Sequence, residues 1–154
     1  LSKLEKLILH TNYLTGTVDG LGRLSSLEVL DINTNNFSGE LGSSLFGLSH
    51  LTFLRLSNNH FSGTLGSDVG RLSNLSTLSL DRNENLRGPI PTEIGDLRLL
   101  ESLFLHDTGF EGTMPNVVCD LFLDELTANC GGDEPKVECS CCSECYEDWQ
   151  SENS

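Results

Sequence analysis

The sequence predicts an α/β-type solenoid that has one parallel sheet on its concave face and mostly coil on its convex side. Three features predict this fold: leucines that recur every 23 to 25 residues, a Leu-x-Leu stretch in each repeat, and an asparagine just after that stretch. The repeats open at Leu4, Leu27, Leu51, Leu75, Leu100 and Leu123. One turn of this length cannot bury its own leucines, so we expect about five turns, residues 1–122, to stack on one another.

Each repeat predicts one strand followed by a returning coil. In the third repeat, Leu54 and Leu56 alternate with polar residues, which is the period of a strand with one buried face. The apolar residues that follow, such as Phe61 and Leu65, are irregularly spaced, with Gly and Ser between them. This spacing indicates a coil rather than a long helix on the far side of each turn.

An asparagine column marks the place where each strand ends and the chain turns inward. Backbone groups at this point face the interior without a partner in the sheet, and an amide side chain offers them both donors and an acceptor. We therefore predict a buried structural ladder of asparagines. In the fifth turn Thr108 takes the asparagine position, and its hydroxyl can form only some of these hydrogen bonds. The ladder consists of Asn12, Asn35, Asn59 and Asn83.

A second column is predicted to form an apolar spine inside the stack, followed by glycines at positions that need room or a positive φ. The spine consists of Leu14, Phe37, Phe61, Leu86 and Phe110. The glycines are Gly16, Gly39, Gly63, Gly88 and Gly112.

The segments Asn36-Phe37-Ser38-Gly39 and Leu86-Arg87-Gly88-Pro89-Ile90-Pro91 resemble the plant-type leucine-rich repeat with its L-x-G-x-I-P signature. The resemblance covers roughly residues 1–122. It implies a right-handed solenoid whose concave or lateral surface binds proteins or peptides, as in receptor ectodomains and in secreted inhibitors of wall-degrading enzymes. The signature is incomplete, since Pro91 and Pro115 are present but Asp19, Gly42 and Gly66 replace the proline elsewhere.

The cysteines are confined to the C-terminal end, where the last turn would otherwise expose its leucines. Their even number predicts a disulfide-bonded cap in an oxidising compartment, with Cys130 paired into the Cys139–Cys145 cluster. Zinc held by thiolates is the alternative, although the C-x-C-C-x-x-C spacing lacks two C-x-x-C knuckles. Residues 123–146 are predicted to form a truncated repeat and this cap, which resembles the Cys-rich ends of some algal leucine-rich-repeat proteins; residues 147–154 are predicted to form an acidic disordered tail. The six cysteines are Cys119, Cys130, Cys139, Cys141, Cys142 and Cys145.

The charge of the chain restricts its partners. A formal net charge of −14 argues against nucleic acid and against direct docking on anionic lipid, and it favours a neutral or basic protein or peptide. No run of residues is apolar and long enough for a membrane span, which leaves an anchor upstream of this segment open. We expect the protein to be extracellular or on the cell surface.

Residues that flank the buried strand leucines point to the concave face. Most of them are small and polar, but Phe53 and Phe104 are aromatic and have no evident role in folding. We therefore predict a ligand-binding surface made of Phe53, Arg55, Phe104 and His106.

No catalytic, cofactor or metal site is predicted. His10 and His106 share a column but lie four strands apart, about 19 Å at ~4.8 Å per strand, which is too far to share a proton or a metal. Three functions fit the sequence: a binding module from a receptor-like or membrane-anchored protein, a secreted inhibitor of a cell-wall hydrolase, and a structural surface protein without a specific ligand.

Overall fold

The computed structural model describes residues 3–147, and within them the chain forms stacked turns carrying two parallel sheets. In chain order the strands are β1 (Lys6–Ile8), β2 (Thr15–Gly16), β3 (Val29–Asp31), β4 (Asn36–Glu40), β5 (Phe53–Arg55), β6 (His60–Gly63), β7 (Thr77–Ser79), β8 (Asn83–Pro89), β9 (Ser102–Phe104), β10 (Thr108–Thr113), β11 (Glu125–Ala128), β12 (Val137–Glu138) and β13 (Glu144–Cys145). The short helices α1 (Ser43–Phe46) and α2 (Asn116–Cys119) and the 3-10 helices Asp19–Arg23, Ser67–Arg71 and Thr92–Asp96 line the convex side. None of the helices in the described part of the chain has the length and apolar character needed to cross a bilayer.

The concave sheet confirms the predicted solenoid. Its seven strands follow the order β1-β3-β5-β7-β9-β11-β13, and every neighbouring pair is parallel. One leucine from each of the first six strands pairs in a single row: Leu7, Leu30, Leu54, Leu78, Leu103 and Leu126. From Leu30 to Leu126 this row is buried, so each turn covers the leucines of the next.

A second parallel sheet lies where the sequence predicted coil. It has six strands in the order β12-β10-β8-β6-β4-β2. Five of its six strands contain a glycine with positive φ, as at Gly63 with a φ of 82°, and glycine lowers the expected tendency to form a strand. Stacking at a constant period nevertheless brings equivalent backbone segments into pairing distance, so repetition overrides local propensity.

The asparagine ladder connects successive turns. The amide nitrogen of Asn59 donates to the carbonyls of Ile32, Leu56 and Ser57 at 3.0, 3.1 and 3.2 Å, and its oxygen accepts from the N–H of Phe37 at 2.9 Å. Asn35 and Asn83 repeat this pattern. Asn12 differs from the prediction because it is exposed: among the described residues no earlier turn packs against it, and its amide donates to the carbonyls of Leu9 and His10.

The ladder changes at the fifth turn. Thr108 donates its single hydroxyl proton to the Leu105 carbonyl at 2.6 Å, so it has no second proton for the preceding turn. In that preceding turn β8 carries an irregularity, since Thr108 pairs with Asn83 but Gly109 pairs with Arg87. Gly109 fits beside it because a Cβ there would lie 2.9 Å from the Leu86 carbonyl oxygen.

The apolar spine is buried only in the middle and at the C-terminal end of the stack. Phe61, Leu86 and Phe110 are inaccessible to solvent or nearly so. Leu14 and Phe37 are partly exposed, because the N-terminal end of the described chain has fewer turns packed around it.

The C-terminal cap closes the other end and contributes to both sheets. The disulfides are Cys119–Cys141, Cys130–Cys145 and Cys139–Cys142, so Cys130 pairs into the predicted cluster. Sulfur atoms of Cys130, Cys139 and Cys142 lie within 4.8 Å of one another, but each is bonded in a disulfide. β12 extends the second sheet and β13 extends the concave sheet. Except for Glu147, the predicted acidic tail lies outside the described residues.

Candidate functional site

The concave sheet positions the predicted ligand residues in rows across its strands. Arg55 pairs with Ser79, and Ser79 pairs with Phe104, so Arg55 and Phe104 share one row two strands apart. Two strand gaps correspond to about 10 Å. Phe53 lies in the neighbouring row, and all three side chains are half-buried on the same face. The candidates thus form a surface rather than one compact cluster.

Arg55 is held by two neighbours. Its guanidinium carbon lies 4.9 Å from the centroid of the Phe53 ring, and its Nη1 lies 3.8 Å from Oδ2 of Asp31. Guanidinium groups favour this combination of an aromatic face and a carboxylate. The side chain of Arg55 keeps 40% of its surface exposed, so part of the group remains available to a ligand.

His106 is buried, against the expectation that it would be exposed on the concave face. It retains 7% of its surface. Its ring stacks on Tyr146 of the cap, with centroids 4.0 Å apart, and Nδ1 lies 2.8 Å from the Thr127 hydroxyl. His106 therefore joins the cap to the sheet, and Tyr146 covers one face of its ring.

Asp81 lies beside His106, and little of its side chain is exposed. Its Oδ2 is 3.7 Å from Nε2 of His106. Burial raises the pKa of Asp81 above 3.8, and the charges of His106 and Arg82 only partly oppose that rise. The ionised carboxylate is thus held at a cost in folding free energy.

A pocket opens where the cap meets the concave sheet, and we call it the C-terminal pocket. Its volume is about 460 Å³, and its walls are aromatic and acidic. Burial and a hydrogen bond to Glu144 raise the pKa of the Tyr146 hydroxyl, which keeps this group a neutral donor. The lining residues are Phe104, His106, Asp124, Glu125, Thr127, Ser143, Glu144 and Tyr146.

Sequence reasoning did not place Ser143, Glu144 or Tyr146 at this site. These residues have no leucine periodicity, and they reach the sheet because β13 pairs with β11 across the cap. The disulfide between Cys130 and Cys145 fixes that pairing. The cysteine spacing was the only signal in the sequence, and it left the pairing open.

Comparisons with known proteins agree with the fold. The family described as Leucine rich repeat matches residues 2–61. Receptor-like protein 39 of Arabidopsis thaliana is 39% identical over 119 residues, which cover 76% of this chain and 14% of that protein. No enzyme family is indicated by these matches or by the solved structures described next.

Solved structures with the same fold include plant receptor ectodomains. The ectodomain of the Arabidopsis thaliana receptor kinase GASSHO1/SCHENGEN3, in complex with CASPARIAN STRIP INTEGRITY FACTOR 2, is 32% identical with a TM-score of 0.75 over 90% of this chain and 18% of that one. The plant peptide hormone receptor RGFR1, in complex with RGF2, is 31% identical with a TM-score of 0.76 over 90% and 21%. The chain therefore spans about a fifth or less of the length of these relatives.

Proposed function

Because this chain belongs to the leucine-rich-repeat proteins of plant type, we propose that it is a protein- or peptide-binding module and not an enzyme. It is a segment of an extracellular receptor-like or membrane-anchored protein. Its three disulfides suit an oxidising compartment. The two receptor ectodomains compared above carry bound ligands in their structures, which supports the same role for this fold here.

One observation carries the proposal: the concave sheet displays an aromatic and charged surface that the core does not require. Phe53 and Phe104 lie on the face opposite the buried leucine row, and Arg55 stands partly free between Phe53 and Asp31. Aromatic residues and arginine are the residue types that dominate interface energetics. Such a surface suits a partner that lies across the strands.

The partner is neutral to basic. The chain carries 23 acids against 9 bases, so a cationic ligand approaches an attractive field. From β1 to β11 the sheet spans five strand gaps, near 24 Å in all. An extended peptide of roughly seven residues covers that distance.

The experiment is a selection of displayed random heptapeptides against the wild-type chain, followed by affinity measurements on variants. Phe53→Ala with Phe104→Ala should weaken binding of the selected peptides by roughly tenfold or more, since two aromatic anchors are lost. Both side chains are half-buried outside the leucine core, so the melting temperature should change little.

The matched control removes two aromatic side chains that lie off the concave face. Tyr13 and Phe122 are 93% and 87% exposed, and Tyr13→Ala with Phe122→Ala should leave the affinity unchanged. Equal losses in both double variants, or unchanged affinity in the first, would move the binding surface away from the concave sheet. Selected peptides with net negative charge would contradict the assignment of a neutral to basic partner.

A further inference from the structure

We infer that the C-terminal pocket binds a cationic side chain of the ligand, and that arginine is the chemistry that fits it best. This inference rests on the proposed function and deepens it by naming the chemical class of one ligand group. It also assigns a binding role to the cap, whose evident role is to close the solenoid.

The walls of the pocket combine the two features that a guanidinium requires. Glu144 pairs with Thr127 across β13 and β11, Glu125 lies two residues before Thr127 on β11, and Asp124 adds a third carboxylate. The rings of Phe104 and Tyr146 supply aromatic surface. A planar guanidinium stacks on such rings while its N–H groups bond to carboxylates.

The carboxylates retain acceptor capacity for a ligand. Oε2 of Glu125 accepts from the Ser102 hydroxyl at 3.4 Å, and Glu144 accepts from the Tyr146 hydroxyl. Both donors are neutral, and a carboxylate has about four acceptor sites. None of the eight lining residues is Lys or Arg. Arg82 acts on Tyr146 from outside the lining and is itself 3.7 Å from the Asp107 carboxylate.

The concave face already contains one guanidinium in the same chemical setting. Arg55 stands between the Phe53 ring and the Asp31 carboxylate. Phe104 occupies the same row as Arg55, two strands further on, and there no arginine of the described residues lines the pocket. The ligand is the source of the guanidinium there.

The pocket is also built to hold its shape. Tyr146 is fixed by its stacking on His106, and its backbone N–H donates to the Ala128 carbonyl at 2.9 Å. Glu144 and Tyr146 flank Cys145, which is bonded to Cys130. Preorganised walls lower the conformational entropy that the protein loses when a ligand binds. This support distinguishes the pocket from the acids that are spread over the rest of the surface.

The experiment titrates N-acetyl-arginine methylamide into the ¹⁵N-labelled chain at low salt and follows backbone amide shifts. N-acetyl-citrulline methylamide, which has nearly the same shape without the charge, is the reference probe. Arginine should produce saturable shifts at Thr127, Ser143 and Glu144, with a Kd on the order of 1 mM for a probe of this size. Citrulline should bind roughly tenfold more weakly or not at all, because it cannot form the charge-assisted bonds.

Two double variants separate the pocket from the overall charge. Glu125→Gln with Glu144→Gln keeps acceptors for Ser102 and Tyr146 and should weaken arginine binding by roughly tenfold. Asp133→Asn with Glu134→Gln changes the net charge equally in an exposed loop of the cap, and should leave Kd within about twofold at constant salt.

Equal binding of citrulline to the wild-type chain, the absence of saturable shifts, or equal weakening in both double variants would overturn the inference. The comparison of arginine with citrulline needs no variant, so it tests the inference even if the Glu125→Gln, Glu144→Gln variant does not fold. If arginine fails this test while Phe53→Ala with Phe104→Ala still weakens peptide binding, the inference about the pocket is wrong and the proposed function stands.

Discussion

Asn59→Ala removes a side chain that satisfies backbone groups of two turns at once. Asn59 lies in the middle of the ladder and is 5% exposed. The substitution deletes the acceptor of the Phe37 N–H and the donor to the carbonyls of Ile32 and Leu56. Alanine offers no hydrogen-bonding group to replace the amide.

The expected loss follows from these orphaned groups. One buried donor without a partner costs about 1–3 kcal/mol. The carbonyls of Ile32, Leu56 and Ser57 also lose a bond, which places the effect at the upper end of that range. With a urea m-value of about 1–3 kcal/mol/M for a small protein, the unfolding midpoint should fall by roughly 1–3 M.

Asn12→Ala is the matched control in the same column. Asn12 is exposed and bonds only to the carbonyls of Leu9 and His10, so its loss should stay within about 0.5 kcal/mol. Urea unfolding followed by circular dichroism measures both variants against the wild-type chain. Equal midpoints for Asn59→Ala and Asn12→Ala would refute the view that the ladder stabilises the stack through buried backbone groups.

Three further predictions concern the charge, the glycines and the cap. Because the folded-state pKa of Asp81 is raised above 3.8, the folded state holds the proton more tightly than the unfolded state; its contribution to stability is present below pH 3.8 and is lost as the pH rises through the folded pKa. In the Asp81→Asn variant the unfolding free energy should therefore fall less steeply as the pH rises from 3.8 through the folded pKa. An unchanged dependence of the unfolding free energy on pH would assign that dependence to other groups. Gly63→Ala should lower the unfolding free energy by about 1–2 kcal/mol because Gly63 has a φ of 82°. Gly66 has a φ of −81° and no atom near the added Cβ, so Gly66→Ala should be neutral or slightly stabilising. Similar melting temperatures for the two variants would contradict this. Reduction of the disulfides should speed hydrogen exchange at the Tyr146 amide before it affects the leucine strands, and uniform loss of protection would mean that the cap folds as one unit with the repeats.

The sequence predicted the parts of the fold that depend on periodicity. Leu54 is buried within β5 and Leu56 is buried just after it, as their alternation and their recurrence predicted. The pairing of equivalent leucines in one row follows from the nearly constant repeat length. The glycine column has positive φ at all five predicted positions.

Features that depend on long-range packing could not be predicted from the repeat pattern. The second sheet forms from glycine-centred segments whose local preference is against strands. Asn12 matches the ladder pattern, but its burial needs an earlier turn packed against it. His106 was placed correctly on the concave face, yet Tyr146 covers it, and the sequence contains no pattern that brings residue 146 beside residue 106.

The most direct test of the central claim is a crystal structure of the chain with the tightest heptapeptide from the selection. We predict that the peptide crosses the concave strands, packs against Phe53 and Phe104, and places a basic side chain in the C-terminal pocket. A peptide bound to the second sheet or to the convex helices, with Phe53 and Phe104 still facing solvent, would contradict it.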